Sequence, residues 1–481
     1  MMSLRRTRVS VVVMAAIAGP ASGGPDFEDL SQAFCERHSI ALAEPGGFDF
    51  DAFARSGLAH ARLGIFELAV APADVRDAKS GERLRAVALT LLGLQADWLS
   101  WLEPACEAAG PARADQAVLK EWVASWNPER VAEHSSETGD LFASLGASEE
   151  VRAAGRRFAE AMTSGALLGL ARDDVPERLI LAPDRRSFLE YAAFAGWIWP
   201  DWRHVFWQPE VADWTHVTVG AYLVLALEYA APERAAGDWF SGLAMDYRSP
   251  TGLEQQIGQL AANSMLAAYY GDRVPPSIAG ALAVNLVVEQ FGECDTRVDG
   301  DLRARRTEAR EVFVPGGNPT GGVLPPNPAT SRWREQRGAD HFVGALQRAQ
   351  KSGLANQRRP KHRGRYFELL DESGSNRTVL EGPYLGEAAT RVEPPPASFQ
   401  GDYLEFLRAY RSCFVRWLQT EANDKKSPEG FARLLLALAA ADGAEAVVPA
   451  IEETFEQPLS DPDLDRETLE GRFLEWLRKQ R

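Results

Sequence analysis

The spacing of metal-binding and nucleophilic side chains limits the chemistry open to this chain. Its 7 histidines are His38, His60, His134, His204, His216, His341 and His362, and the closest pair, His204 and His216, lies 216 − 204 = 12 positions apart. A helical zinc-hydrolase site needs two imidazoles one turn apart with a glutamate beside them to activate the bound water, and no H-E-x-x-H is present. A G-x-S-x-G nucleophile elbow is also absent, and the glycine cluster from Gly316 to Gly322 lacks the lysine of a phosphate-binding loop. No metal and no cofactor is expected on these grounds. Carboxylate chemistry keeps Glu228, Glu233, Asp238 and Asp246 as candidates, and it requires two such groups held at a set separation with split pKa values. The aromatic run Tyr191, Phe194, Trp197, Trp199, Trp202, Phe206, Trp207 and Trp214 offers something different. Aromatic faces stack on sugars or clamp an extended peptide, with Trp207, Trp214, His216, Asp238 and Trp239 lining a groove; packed core is the plainer use of the same residues.

Positioning these groups falls to a chain of 481 residues that is 45% hydrophobic, enough for two or three domains. A net charge of -16 argues against nucleic acid as partner, since a phosphate backbone needs a basic face. Arg5, Arg6 and Arg8 precede an apolar run from Val9 to Gly19 and the small residues Ala21 to Gly24, the order of a cleavable signal peptide. The expectation is export to the periplasm or the extracellular space, with no transmembrane segment after cleavage. Cys35, Cys106, Cys294 and Cys413 lie far apart without C-x-x-C, which leaves long-range disulfides and buried thiols both open.

After a signal over 1–23, residues 24–172 read as a helical N-terminal domain, with Leu84, Val87, Leu91, Leu94, Trp98 and Leu102 on one helical face. Arg178 to Pro183 predicts a strand, Asp184 the cap of the helix after it, and His204 to Trp207 a second strand. Thr215 to Tyr229, apolar almost all round, predicts a buried helix. Residues 301–375 form a Pro/Gly-rich insertion or linker; its first part, 301–365, holds 14 basic and 5 acidic residues, a local 14 − 5 = +9. The C-terminal region, 376–481, is helical, with Pro428 opening one helix and Phe473, Trp476 and Leu477 marking the last.

The stretch Asp238-Trp239-Phe240-Ser241-Gly242-Leu243-Ala244-Met245-Asp246-Tyr247 resembles the W-L-x-E-G-x-A-x-Y segment of gluzincin metallopeptidases, most nearly their peptidase-MA-like branch. The resemblance implies a strand, an active-site helix and a ligand-bearing helix in that order. Ser241 then stands at the third zinc ligand, and the family spacing lays H-E-x-x-H on Thr218-Val219-Gly220-Ala221-Tyr222. Thr218, Val219, Tyr222 and Ser241 become pseudo-active-site positions at which every ligand and the general base are lost.

The expected architecture is α+β and predominantly helical: a degenerate gluzincin-like domain with a small sheet over 173–300, flanked by helical regions. The expected role is non-catalytic binding of a peptide or cell-envelope polymer. A hydrolase using a carboxylate pair, or a structural envelope protein, are the alternatives.

Overall fold

The computed structural model describes residues 26–41, 48–72, 78–106, 109–125, 147–163, 177–207, 216–227, 252–270, 276–292, 412–422, 428–441, 446–459 and 468–479, with Val211 and Val274. In chain order the elements are α1 (Phe27–Arg37), α2 (Phe50–Gly57), β1 (Ala59–Leu63), β2 (Phe66–Val70), α3 (Ala78–Leu102), α4 (Ala109–Ala124), α5 (Glu149–Thr163), β3 (Glu177–Ala182), α6 (Arg185–Ile198), α7 (Arg203–Phe206), β4 (His216–Val219) and β5 (Tyr222–Ala226). Helices follow: α8 (Gly252–Tyr270), α9 (Pro276–Phe291), α10 (412–420), α11 (Pro428–Ala440), α12 (Val447–Phe455) and α13 (Leu469–Lys479). The protein is mostly helical around one small mixed sheet.

The five strands run in the order β1-β2-β3-β5-β4. Three parallel strands, β2, β3 and β5, form the middle, and each edge is the outer arm of an antiparallel hairpin. Both hairpins turn on two residues with glycine first, Gly64-Ile65 at φ +67 and Gly220-Ala221 at φ +61. A positive φ there suits the right-handed strand twist and is strained for any residue with a Cβ. β3 is buried along its last four residues, as a strand covered on both faces must be.

Alternation along the strands divides the core. Leu63, Phe66, Leu68, Leu179, Leu181 and Leu225 face a large helical layer built from α3, α4, α5, α8, α9 and the C-terminal helices. Ala69, Ile180, Ala182, Tyr222 and Val224 face a smaller layer of α1, α2 and α6. At the centre of the large layer, α3 touches α4, α8, α9 and α11, burying the Leu91, Leu94, Trp98 and Leu102 stripe that its spacing predicts. In the small layer the buried Glu190 of α6 is ion-paired with Arg37 Nε of α1 at 3.0 Å and accepts from Arg186 Nε at 3.1 Å, which ties α1 down on α6.

Three sequence expectations change. The predicted helix over Thr215–Tyr229 is the β4–β5 hairpin: β-branched Val217, Thr218 and Val219 favour extended backbone, and Gly220 supplies the turn. The predicted strand at His204–Trp207 is the one-turn helix α7. Strands β1 and β2 come from the region expected to be helical, and β2 pairs directly with β3, so one sheet joins the segments on either side of residue 172. The strand at Arg178–Ala182 and the helix capped by Asp184, whose Oδ1 accepts from the Ser187 N–H at 2.7 Å, are as predicted. Among the described residues no helix is long and apolar enough to cross a membrane. Cys35 and Cys413 are buried thiols; Cys294, the signal segment and the 301–375 insertion lie outside the described residues.

Candidate functional site

The aromatic run divides between core and surface. Tyr191, Phe194 and Phe206 are buried, with Phe194 stacked on Phe34 at 4.3 Å between centroids, whereas Trp197, Trp199, Trp202 and Trp207 are half-buried where α6 ends and α7 begins. Pro200 and the 3-10 turn at Pro200–Trp202 form the corner between α6 and α7 that carries these tryptophans, each packed in part against the small-layer core.

Trp207 is locked into that corner. Its indole N–H donates to the Ala193 carbonyl at 2.9 Å, its ring stacks on Phe27 at 6.0 Å, and the Arg203 guanidinium lies 4.6 Å above it. Gly196 permits the approach, because a Cβ there would collide with the indole nitrogen. Arg203 is pinned as well, donating from Nε to the Gly196 carbonyl at 3.3 Å with Trp197 on its other side at 5.8 Å. Trp197, Trp199 and Trp202 are held less tightly: among the described residues their indole N–H groups make no hydrogen bond, and Trp202 is paired in parallel with the exposed ring of His204. Of the expected groove, Trp207 is a scaffold, His216 begins the edge strand β4, and Trp214, Asp238 and Trp239 lie outside the described residues.

The pseudo-active-site positions do not converge. In the hairpin Thr218 faces Leu223 and Val219 faces Tyr222, so the pleat sends the exposed Thr218 to one side of the sheet and the buried Tyr222 to the other. Val219 is core, and Ser241 lies outside the described residues. Glu228, Glu233 and Asp246, candidates for a carboxylate pair, lie outside them too.

A charged cluster that sequence spacing does not disclose sits on the small-layer face, at the end of the sheet where its parallel strands begin. Sheet register puts Arg62, Glu67, Arg178 and Tyr222 in one row across β1, β2, β3 and β5, with His60 beside them. His60 Nδ1 meets Glu67 Oε1 at 2.9 Å and its Nε2 meets the Ala54 carbonyl at 2.7 Å. Burial alone would lower the His60 pKa, but Glu67 and the Ala54 carbonyl outweigh it and the net shift is upward. Glu67 is held below its usual range, chiefly by the hydrogen bond from His60. Both ring nitrogens are thus engaged, and the His60–Glu67 pair acts as a clamp joining α2, β1 and β2. His38, in contrast, is pushed down to about 4 by burial and by Arg37, and its neutral ring is enclosed by Phe34, Phe53 and Tyr191.

The clamp predicts a pH profile. A raised His60 pKa stabilises the fold fully below the unfolded value of about 6.5, and that contribution is lost as pH rises through the folded value. A lowered Glu67 pKa stabilises it above about 4.3, and that contribution is lost as pH falls through the folded value. Melting temperature is therefore expected to decline on the alkaline side, and His60→Gln to flatten the decline; parallel profiles for the two proteins would remove the clamp from the stability of the fold.

Compared with known proteins, the chain matches no family model, no curated protein and no solved structure. Among the described residues no group of three or more His, Cys, Asp or Glu side chains is arranged to hold a metal ion.

Proposed function

We propose that this chain is an exported, non-catalytic binding protein that holds a peptide or a cell-envelope polymer against its tryptophan corner. The observation that carries this reading is the set of three half-buried indoles, Trp197, Trp199 and Trp202, on a scaffold made rigid by Trp207 and Arg203. Flat rings with unused N–H donors stack on sugar faces or peptide planes while donating to hydroxyls or carbonyls, and a pre-ordered platform loses little entropy when its ligand arrives.

The test is a fluorescence titration of the intact protein with soluble peptidoglycan fragments and, separately, with extended peptides. One of the two is expected to saturate, and Trp202→Ala to weaken it about tenfold, equivalent to about 1.4 kcal/mol, with the circular dichroism spectrum unchanged. Equal affinity in the variant would overturn the assignment of the corner.

The gluzincin resemblance adds no chemistry to this reading: at the positions it assigns, Thr218, Val219, Tyr222 and Ser241 offer neither the imidazole nitrogen nor the carboxylate that zinc takes, so no step is assigned to a metal.

A further inference from the structure

The main chain of the tryptophan corner bonds to itself. The N–H groups of Trp199, Trp202, Arg203 and Trp207 donate to the carbonyls of Ala195, Trp199, Pro200 and Arg203, in that order. The Ala193 and Gly196 carbonyls are taken by the Trp207 indole N–H and by Arg203 Nε. Backbone satisfied in this way leaves an extended peptide without the free strand edge on which it would form its main-chain bonds. What the corner presents to a ligand is side chains: the half-buried rings of Trp197, Trp199 and Trp202 with their indole N–H groups, and the polar ends of Arg203 and Asp201.

Those polar ends narrow the chemistry. Trp207 and Trp197 lie 4.6 and 5.8 Å from the guanidinium carbon of Arg203, and its Nε is bonded to Gly196, so its terminal Nη groups are what remain to donate. Asp201, exposed in the 3-10 turn two residues earlier, is an acceptor only. The two charges balance, and a chain with a net charge of -16 repels a polyanion. Donors and an acceptor beside flat apolar rings therefore suit a neutral ligand with apolar faces and an edge of groups that both donate and accept. A pyranose with equatorial hydroxyls has that form: its C–H faces lie flat on an indole while its hydroxyls turn outward to polar side chains. We propose that the occupant of the tryptophan corner is a neutral glycan of such units, with its C–H faces against the indoles and its hydroxyls on Arg203 and Asp201. This rests on the corner being a binding platform, and it narrows the ligand from a peptide or an envelope polymer to a sugar chain.

The experiment is a tryptophan-fluorescence titration of the full chain with chitohexaose, a peptide-free chain of β-linked N-acetylglucosamine, and in a second series with an extended proline-rich peptide. Chitohexaose is expected to saturate with a dissociation constant of about 1 mM or tighter. Trp202→Ala should weaken it about tenfold or more, and Asp201→Ala about fivefold, the loss of one hydrogen bond. Asp201 is exposed, so its variant carries the test where Trp202→Ala lowers the melting temperature. Chitohexaose bound equally well by both variants would overturn the proposal. Saturation by the peptide alone, weakened in Trp202→Ala, would overturn the sugar and leave the corner as a binding platform. Failure of both series to saturate would overturn the platform as well.

Discussion

Replacing Gln95 with leucine is expected to lower the free energy of unfolding by about 1–3 kcal/mol. Gln95 is fully buried on α3, directly beneath the first hairpin turn. Its Oε1 accepts from the Ile65 N–H at 3.0 Å, and its Nε2 donates to the Leu63 carbonyl and the Leu91 carbonyl, each at 2.9 Å. Leucine matches its size and leaves the Ile65 N–H buried without a partner, at a cost of about 1–3 kcal/mol. Gly64→Ala should act on the same turn by another route, because φ +67 is strained for alanine and its methyl would meet Gln95 and Phe158. Urea unfolding followed by circular dichroism measures both, with an unchanged m-value required for a pure stability effect. A loss below about 1 kcal/mol for Gln95→Leu would mean that the turn holds itself, and the clamp between α3 and the sheet would have to be abandoned.

The purified chain is expected to hold no zinc in stoichiometric amount, because Thr218, Val219, Tyr222 and Ser241 supply no imidazole or carboxylate at the positions where the gluzincin resemblance puts the ligands and the base. Elemental analysis after dialysis measures the metal content. A zinc ion that a chelator removes together with a peptidase activity would overturn the non-catalytic reading.

Local signals in the chain carried much of the fold. The face of Leu84 to Leu102 gave α3, Arg178 to Ala182 gave β3, Asp184 gave the start of α6, and Pro428 gave the start of α11. Each depends on neighbours within one or two turns, the range over which helical periodicity, caps and proline act. The hairpins were harder to see. β5 is buried along most of its length, so Tyr222 to Ala226 lacks the polar alternation that distinguishes a strand from a buried helix, and only Gly220 marked the turn. The alternation Ala59-His60-Ala61-Arg62-Leu63 before Gly64 was a readable strand signal within a stretch dominated by helices.

What the sequence determined by itself was therefore the helix-rich class, the absence of H-E-x-x-H and other catalytic motifs, and the grouping of tryptophans between residues 197 and 207. The tertiary structure decided which of those rings are core and which reach the surface, because that depends on the Phe27, Gly196 and Arg203 contacts around Trp207. It alone brought together His60, Glu67, Arg178 and Tyr222, spread over 222 − 60 = 162 positions. Their meeting depends on strand order and register, which are set by which apolar faces bury against each other across the whole chain.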